Sequence, residues 1–362
     1  MTAQLVEDQP ICEIEPRRSH SCDETQTVEL EAREMRGLQD YVDAQSGGPG
    51  KGWLRIVTSP EQARQVIADG KLAVLLGVEA SNPFGCSEIV GRPQCTTADV
   101  DRGIALYKRL GISAMFIAHW VNNAFAGAAL EDGTKGTFIS TFNVLQTGEP
   151  FMTGPCPESG QGSACNDMGL TDLGSYLVLR LMDDHMLIEM DHLSERARLQ
   201  VLALAEARHY PGLVSSHTNT GGFWTDSDLE RLYALGGFAT ARPDTPATLA
   251  QTIDHYARFE KPGRLIGIGL GSDTGGFNAL PAPDPQHPVS YPFRSYDGGV
   301  TLDREVAGTR TYDLNKDGVA NYGLFPDLIA AMRRAPGGEQ AIALLFRSAE
   351  AYLRTWEAAE RV

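Results

Sequence analysis

The stretch Leu72-Ala-Val-Leu-Leu-Gly-Val-Glu79 is an apolar run that ends in a carboxylate. An uninterrupted apolar run of this length is typical of a strand buried on both faces of a parallel sheet. Four later apolar runs also end in a polar residue, at His119, His192, His217 and Asp273. In a parallel barrel the carboxyl ends of the strands meet at one rim, where such folds carry their sites. The five residues therefore predict a single pocket.

Around these runs the chain alternates short apolar segments with longer amphipathic ones. This rhythm is typical of repeated strand and helix units around a parallel sheet. The sequence thus predicts an α/β fold, a TIM-like (β/α)8 barrel. The predicted strands are 72–78, 113–118, 186–190, 212–216, 236–239 and 265–269. The predicted helices are 27–44, 60–68, 97–110, 171–183, 194–209, 226–235, 246–259, 326–333 and 339–358.

Two stretches, about 122–166 and 274–319, are rich in Gly, Pro, Thr and Asp and are too long for ordinary connections. We interpret both as irregular active-site loops. No internal repeat or linker divides the chain, so one barrel domain is predicted over residues 51–362. Residues 1–50 are predicted to form an N-terminal segment with a helix and a disulfide.

The composition bounds the class of partner. With 362 residues and 42% hydrophobic side chains, the chain can bury a sizeable core. Its formal net charge of -16 opposes binding to nucleic acid, because phosphate backbones would be repelled. The longest apolar runs fall short of the roughly 20 residues that span a bilayer. The expected partner is therefore a small molecule or a peptide, and a homodimer is an assembly that the sequence leaves open.

The six cysteines form three close pairs, Cys12 with Cys22, Cys86 with Cys95, and Cys156 with Cys165. Short loops closed by paired cysteines are typical of disulfides in an oxidising compartment. A thiolate metal site is the weaker alternative, because no pair has the Cys-x-x-Cys spacing. The N-terminus lacks the basic and apolar regions of a signal peptide. We nevertheless expect a secreted or periplasmic protein whose signal lies outside this sequence.

Glu79, His192 and His217 are the predicted metal ligands. Taken alone, a histidine after a strand is more often a hydrogen-bonded structural residue, and a lone carboxylate is usually a solvated cap. If the strand ends converge, however, burying such groups without a shared ion or a hydrogen-bonded network is costly. Two imidazoles and a carboxylate suit zinc or another borderline divalent ion. The sequence therefore predicts a metal site.

Five short motifs surround these residues, namely Gly77-Val-Glu79, Ala118-His-Trp-Val-Asn-Asn123, Ile188-Glu-Met-Asp-His-Leu-Ser194, Ser216-His-Thr218 and Gly267-Ile-Gly-Leu-Gly-Ser-Asp273. In this order and approximate spacing they resemble the membrane (renal) dipeptidases. That family is peptidase M19-like and belongs to the amidohydrolase-like metal-dependent hydrolases. The resemblance covers about residues 70–355, and the order of the motifs makes it more specific than any single motif.

The resemblance implies a binuclear zinc hydrolase in which a bridging hydroxide attacks an amide carbonyl. It implies that Glu79 bridges the metals and that His192 and His217 hold the second one. It further implies that His119 polarises the substrate carbonyl or steadies its oxyanion. Asp273 would match the acid that passes a proton to the leaving amine.

The chain departs from the family at the first metal. Members carry His-x-Asp after the first strand, whereas this sequence contains no His-x-Asp. The nearest feature, His20-Ser-Cys-Asp23, has the wrong spacing. Either the first strand is incomplete or altered, or the protein holds a single ion, or it is no longer a dipeptidase. The arginine that the family uses for the substrate carboxylate is also missing, since residues 218–228 contain no basic side chain.

Three functions are open at this point. The first is hydrolysis of a dipeptide-like amide bond by metal-activated water. The second is lactone or ester hydrolysis within the same superfamily, which would use the same water in a different pocket. The third is a catalytically inactive metal-binding barrel, which the missing His-x-Asp favours.

A separate acidic motif, Asp313-Leu-Asn315-Lys-Asp317-Gly318, has part of the spacing of a calcium loop. Its twelfth position is Leu324 instead of glutamate, so a complete EF-hand is not predicted. Two interpretations follow. One is a weaker calcium site with oxygens supplied from elsewhere, and the other is a turn that caps the helix at Pro326.

Overall fold

The computed structural model describes residues 1–7, 12, 19, 21–157, 164–217, 224–273 and 280–362. These residues form two compact units. The first comprises Met1–Val214, Thr225–Gly237 and Leu353–Val362, and the second comprises Ser215–Trp224 and Phe238–Tyr352. Among the helices in these ranges, none has the length and hydropathy of a transmembrane span. The predicted separation of residues 1–50 from 51–362 stays a prediction.

The first unit alternates strands with helices. Its strands are β1 (Thr2–Glu7), β2 (Leu54–Val57), β3 (Leu72–Ala80), β4 (Glu88–Ile89), β5 (Arg92–Pro93), β6 (Ile112–Phe116), β7 (Thr153–Pro155), β8 (Ala164–Asn166), β9 (Leu187–Glu189) and β10 (Leu213–Ser215). Its helices are α1 (Glu24–Gln45), α2 (Pro60–Ala68), α3 (Thr97–Leu110), α4 (Gly133–Thr147), α5 (Asp172–Asp183), α6 (Glu195–Arg208) and α7 (Asp226–Leu235). A 3-10 turn lies at Pro83–Gly85.

Strand β3 is central to a parallel sheet in the first unit. It pairs with β1, β2 and β6, while β9 pairs with β6 and β10. Every residue of β3 after Leu72 is buried, which confirms the strand predicted from the apolar run. Parallel strands separated by helices confirm the predicted α/β class.

The sequence does not predict β1, because Thr-Ala-Gln-Leu-Val-Glu is not a continuous apolar run. This strand pairs in parallel with β3 and places the backbone of Val6 beside Glu79 and that of Glu7 beside Ala80. The sheet therefore contains a strand that precedes all the predicted ones. It ends at Glu7 without a His-x-Asp, which fits the expectation of an altered first strand.

The second unit contains a parallel strand pair, two hairpins and several helices. Its strands are β11 (Phe238–Ala241), β12 (Ile268–Leu270), β13 (Phe293–Arg294), β14 (Thr301–Leu302), β15 (Glu305–Ala307) and β16 (Arg310–Tyr312). Its helices are α8 (Pro246–Ala257), α9 (Leu314–Asp317), α10 (Phe325–Met332), α11 (Gly338–Leu345) and the start of α12 (Ser348–Ala359), with a 3-10 turn at Tyr322–Leu324. Strands β11 and β12 pair in parallel, whereas β13–β14 and β15–β16 are antiparallel hairpins.

Three predictions of local structure are wrong. The stretch 122–166, interpreted as irregular, contains α4 and the β7–β8 hairpin; α4 is rich in glycine and threonine, whose low helix propensity hides it. The described part of 274–319 contains the two hairpins and α9. The helix predicted at 339–358 is interrupted between α11 and α12, where no glycine or proline marks the break. At this break the Arg347 carbonyl approaches Gly267 so closely that a Cβ there would lie 2.7 Å from it.

Candidate metal centre

Three neighbouring strands of the first unit deliver Glu79, His119 and His192. Glu79 is the penultimate residue of β3, whereas the two histidines lie three residues after the ends of β6 and β9. Because β3 pairs with β6 and β6 pairs with β9, these parallel strands end at the same edge of the sheet. We call Glu79, His119 and His192 the strand-end cluster.

The strand-end cluster is compact. The Nε2 atom of His192 lies 3.1 Å from Oε1 of Glu79, and Nε2 of His119 lies 3.5 Å from the same oxygen. The two imidazole rings have centroids 4.4 Å apart and are nearly perpendicular, at 86°. One donor atom from each residue lies within 4.8 Å of the other two. At metal–nitrogen distances of about 2.0–2.1 Å, small movements would let one cation reach all three.

The polar side chains of the strand-end cluster are largely buried. Glu79 is 4% exposed and His119 is 6% exposed, so water has little access to either group. Ion-binding or hydrogen-bonded partners are what make such burial tolerable. On one side the His119 ring lies near Trp120, with centroids 5.1 Å apart and the ring planes tilted by 34°. The half-buried Trp120 thus forms a wall beside the cluster, with the Lys135 ammonium 5.7 Å from its ring centroid.

The backbone at His192 is unusual. Its φ of 62° lies in the left-handed region, which residues other than glycine rarely adopt. The His192 carbonyl accepts a hydrogen bond from the backbone N–H of Ala129 at 2.7 Å. Its ring centroid lies 6.0 Å from that of Phe116. A polar residue held in a sparsely populated conformation is typical of functional sites, where the surroundings fix its direction.

All three predicted disulfides are present, joining Cys12 to Cys22, Cys86 to Cys95, and Cys156 to Cys165. The last pair also lies near the Glu195 carboxylate, a combination of groups that could ligate a metal. A metal is bound by thiolates, however, and these two sulfurs are bonded to each other. The disulfide interpretation of the cysteine pairs is therefore confirmed.

His217 and Asp273 belong to the second unit. His217 is buried just after β10, with its Nδ1 atom 3.2 Å from the Ser216 hydroxyl oxygen. Asp273 follows β12 and has a left-handed backbone, with φ at 47°. Between them Gly271 makes a close approach, because a Cβ on it would lie 2.7 Å from the His217 Cα. The segments that carry the two residues are thus in contact, while their predicted roles as metal ligand and proton carrier stay predictions.

The motif Asp313, Asn315 and Asp317, which we call the acidic turn, has its side chains engaged by the protein. Asp313 caps α9 by accepting from the N–H of Asn315, and it accepts from Nε of Arg304 at 2.8 Å. Asn315 makes two hydrogen bonds with the backbone of a neighbouring segment. Asp317 accepts from Arg310 at 3.2 Å. Because these donors occupy oxygens that calcium would need, we do not propose calcium here. The alternative of a capping turn holds in a different form, since Asp313 caps α9 and the helix that contains Pro326 has no side-chain cap.

Two features of the first unit are not predicted from the sequence. The sequence gives His119 a role toward the substrate, which stays a prediction, and does not include this imidazole among the candidate ligands, where the structure places it. The available signal is that His119 and His192 follow their strands at the same distance. It also assigns no role to Asn122 and Asn123, which are buried directly beyond His119. Their signal in the sequence is their place in the motif Ala118–Asn123, three and four residues past a strand-end histidine.

No protein-family model matches this chain, and no curated protein matches its sequence. Solved structures do match. An amidohydrolase from Pseudomonas aeruginosa aligns with a TM-score of 0.53 and 14% identity, over 99% of this chain and 87% of the other. A dipeptidase described as a metallopeptidase of family M19 aligns with a TM-score of 0.56 and 16% identity, over 99% and 84%. A metallopeptidase from Rhodobacter sphaeroides, bound to a phosphinate mimic of the dipeptide L-Ala-D-Ala, aligns with a TM-score of 0.53 and 16% identity, over 93% and 75%.

At such low identities these likenesses show a shared fold. The chain has the fold of these metallopeptidase and amidohydrolase structures along nearly all of its length. This confirms the predicted TIM-like α/β fold. It also confirms, at the level of the fold, the resemblance to the membrane dipeptidases that the five motifs indicate.

Proposed function

We propose that this protein is a metal-dependent hydrolase that cleaves an amide bond of the dipeptide type. The observation that carries the proposal is the strand-end cluster, in which a carboxylate and two imidazoles from three separate strands lie within 4.8 Å of one another. The fold around this cluster is shared with dipeptidases of family M19. The ligand atoms of the strand-end cluster and the shared fold are separate observations, and both support metal-dependent hydrolysis.

The donor set fits a divalent cation. Two imidazole nitrogens and one carboxylate oxygen are a common ligand set of catalytic zinc sites. We therefore propose zinc, held by Glu79, His119 and His192. A cation held there supplies Lewis acidity, which lowers the pKa of a water molecule and polarises a carbonyl group.

The remaining roles are carried over from the family motif. We propose that His217 is a metal ligand and that Asp273 takes a proton from the attacking water and passes it to the leaving amine. We also propose for His119 the family's role toward the substrate carbonyl; its ring lies near both Glu79 and the half-buried Trp120. Trp120 would exclude water from one side of the scissile bond.

The disulfides support a protein that works outside the reducing cytoplasm. We propose a secreted or periplasmic location on this ground. The substrate class that suits it is a small peptide or another small molecule with an amide bond. A strongly acidic chain, with a net charge of -16, suits such a substrate better than a polyanion.

A catalytically inactive metal-binding barrel is the second candidate. The specific observation in its favour is that β1 ends at Glu7 without the His-x-Asp that holds the first metal in the family. In this case the strand-end cluster would bind a cation without turning over a substrate. Lactone or ester hydrolysis is the third candidate, and only a substrate panel separates it from amide hydrolysis.

Zinc titration of metal-free protein, followed by assays on a dipeptide panel and a lactone panel, tests the proposal. We expect at least one tightly bound zinc per chain and dipeptide hydrolysis that stops when zinc is removed. The Glu79→Gln variant should lose both properties, whereas the matched control Asp313→Asn should keep both. Zinc binding without turnover would support the inactive barrel, and turnover of lactones alone would replace the amide assignment. A wild-type protein that binds no zinc would reject the proposal.

A further inference from the structure

Residues 122–129 form a loop that reaches the strand ends carrying the strand-end cluster, and we call it the bracing loop. On the β9 side, the Gly127 carbonyl accepts a hydrogen bond from the N–H of Ser194 at 2.8 Å. The N–H of Ala129 donates to the carbonyl of His192 itself at 2.7 Å. The bracing loop therefore holds the backbone of one candidate ligand directly.

Asn123 connects the bracing loop to the other two strands. Its Nδ2 group donates to the carbonyl of Ser81 at 2.8 Å and to that of Ile117 at 2.9 Å. Ser81 lies two residues after Glu79, and Ile117 lies two residues before His119. One side-chain amide thus ties together the ends of β3 and β6, close to a candidate ligand on each strand.

The amide of Asn123 is used to its full capacity. Its Oδ1 atom accepts from the N–H groups of Phe125 and Ala126, at 2.8 and 3.0 Å. A carboxamide offers two donor hydrogens and two acceptor lone pairs, so all four are engaged. The residue is 0% exposed, and water therefore does not replace a lost partner easily. A saturated, buried polar group of this kind makes its surroundings rigid.

A second asparagine fixes the bracing loop from its other side. The Oδ1 atom of Asn122 accepts from the N–H of Ala128 at 3.1 Å and from Nδ2 of Asn166 at 2.7 Å. Asn166 belongs to β8 and follows Cys165, which is cross-linked to Cys156. The bracing loop is therefore anchored to a hairpin that a disulfide holds closed.

We propose that Asn123 is a positioning residue, which sets the separation of Glu79 and His119. We also propose that the bracing loop holds the backbone of His192 in place beside them. The part of this inference that concerns cation affinity rests on the proposed function. Residues that orient metal ligands from outside typically change metal affinity by about 10- to 100-fold. Asn123 would act in this way through the backbones of two strands.

The test compares Asn123→Ala with a matched control, Tyr210→Phe. Both variants remove buried hydrogen bonds in the first unit, but the Tyr210 hydroxyl donates to the Met186 carbonyl at 2.6 Å, at the opposite end of β9 from His192. Crystal structures of the metal-free proteins report the positions of the three donor atoms. Cobalt(II) titration, followed by its visible absorption bands, reports affinity and coordination geometry.

We expect the donors of Asn123→Ala to spread beyond the 4.8 Å grouping of the wild type. We expect cobalt to bind about 10- to 100-fold more weakly with altered bands. Tyr210→Phe should lose stability yet keep the grouping, the affinity and the bands. If Asn123→Ala does not fold, Asn166→Ala loosens the same loop through Asn122 and should shift cobalt affinity in the same direction.

An asparagine variant with the wild-type donor grouping and cobalt affinity would overturn the inference, as would an equal loss in Tyr210→Phe. Failure of the proposed function gives a different result. In that case the wild-type protein binds no cobalt, and the metal-free crystal structures alone decide whether Asn123 positions Glu79 and His119.

Discussion

The strand-end cluster and the acidic turn each gather three polar side chains, but different groups face those side chains. In the cluster a carboxylate faces two imidazoles, at 3.1 and 3.5 Å, and the three residues come from separate strands. In the turn, guanidinium groups of Arg304 and Arg310 and backbone N–H groups face the two carboxylates. The ligand atoms of the strand-end cluster suit a cation. In the acidic turn, donors of the protein already neutralise the carboxylates.

The electrostatics of Asp313 make the difference explicit. Burial acts to raise its pKa, but the hydrogen bonds from Arg304 and from the N–H of Asn315 outweigh burial and hold the pKa below its usual range. A carboxylate stabilised in this way gains little from calcium. In this chain the calcium-like spacing of the acidic turn thus does not produce a group of available oxygens, whereas the converging strand ends do bring three possible ligand atoms together.

The largest expected effect is on metal affinity, and it tests the contrast between the strand-end cluster and the acidic turn. His192→Ala removes a candidate ligand, so zinc affinity should fall by more than about 100-fold, beyond the usual effect of an outer partner. Competition with a chelator of known affinity measures the change. Asp313→Asn is the control from the acidic turn and should bind zinc as the wild type does. Equal losses in both variants would erase the distinction between the two regions.

The next largest effect concerns the bracing loop, which holds the strand-end cluster. Gly127→Ala would place a Cβ 2.2 Å from the Met168 carbonyl oxygen, so the backbone must shift. Such overpacking should lower the free energy of unfolding by about 1–3 kcal/mol, as measured by urea denaturation, and should also weaken zinc binding. Gly37→Ala is the control, because nothing lies within 4 Å of its added Cβ. In that helix alanine should be neutral or stabilise by about 0.5–1 kcal/mol.

The sequence allows the fold class and much of the cluster to be predicted, for a physical reason. The apolar run of β3 and its terminal Glu79 are local features, and parallel strands bring their carboxyl ends together whatever lies between them. The position of β1 is not predictable in this way, since its mixed composition gains a strand partner only through pairing with β3. The same holds for α4, whose glycines and threonines disfavour a helix until tertiary packing supports it.

Asn123 illustrates what pattern reasoning omits. Nothing in the Asn122-Asn123 dipeptide shows that one amide will reach the Ser81 and Ile117 carbonyls. Its partners lie on separate segments, and only the folded chain brings them together. His119 is a similar case, because its distance from Glu79 depends on the register between β3 and β6.

A smaller effect is expected for stability in the acidic turn. Asp313→Ala removes the cap of α9 and the partner of Arg304, and loss of a helix cap typically lowers stability by about 0.5–2 kcal/mol. Thermal unfolding should show this loss with no change in bound zinc. A large drop in zinc content would mean that the acidic turn holds a metal after all.

The smallest effect is the pH dependence of that loss. Because the folded pKa of Asp313 is lowered, its stabilisation is present above the unfolded pKa of about 3.9 and disappears as the pH falls through the folded value. The stability gap between wild type and Asp313→Ala should therefore be constant near neutral pH and close in acid. Urea denaturation at a series of pH values measures it, and a gap that widens in acid would contradict the assigned ion pair.

Anomalous X-ray diffraction at the zinc edge, on crystals soaked with zinc, tests the central claim most directly. We expect a peak within coordination distance of Oε1 of Glu79 and Nε2 of His119 and His192. A peak at the acidic turn alone, or no ordered zinc at saturating concentration, would contradict it.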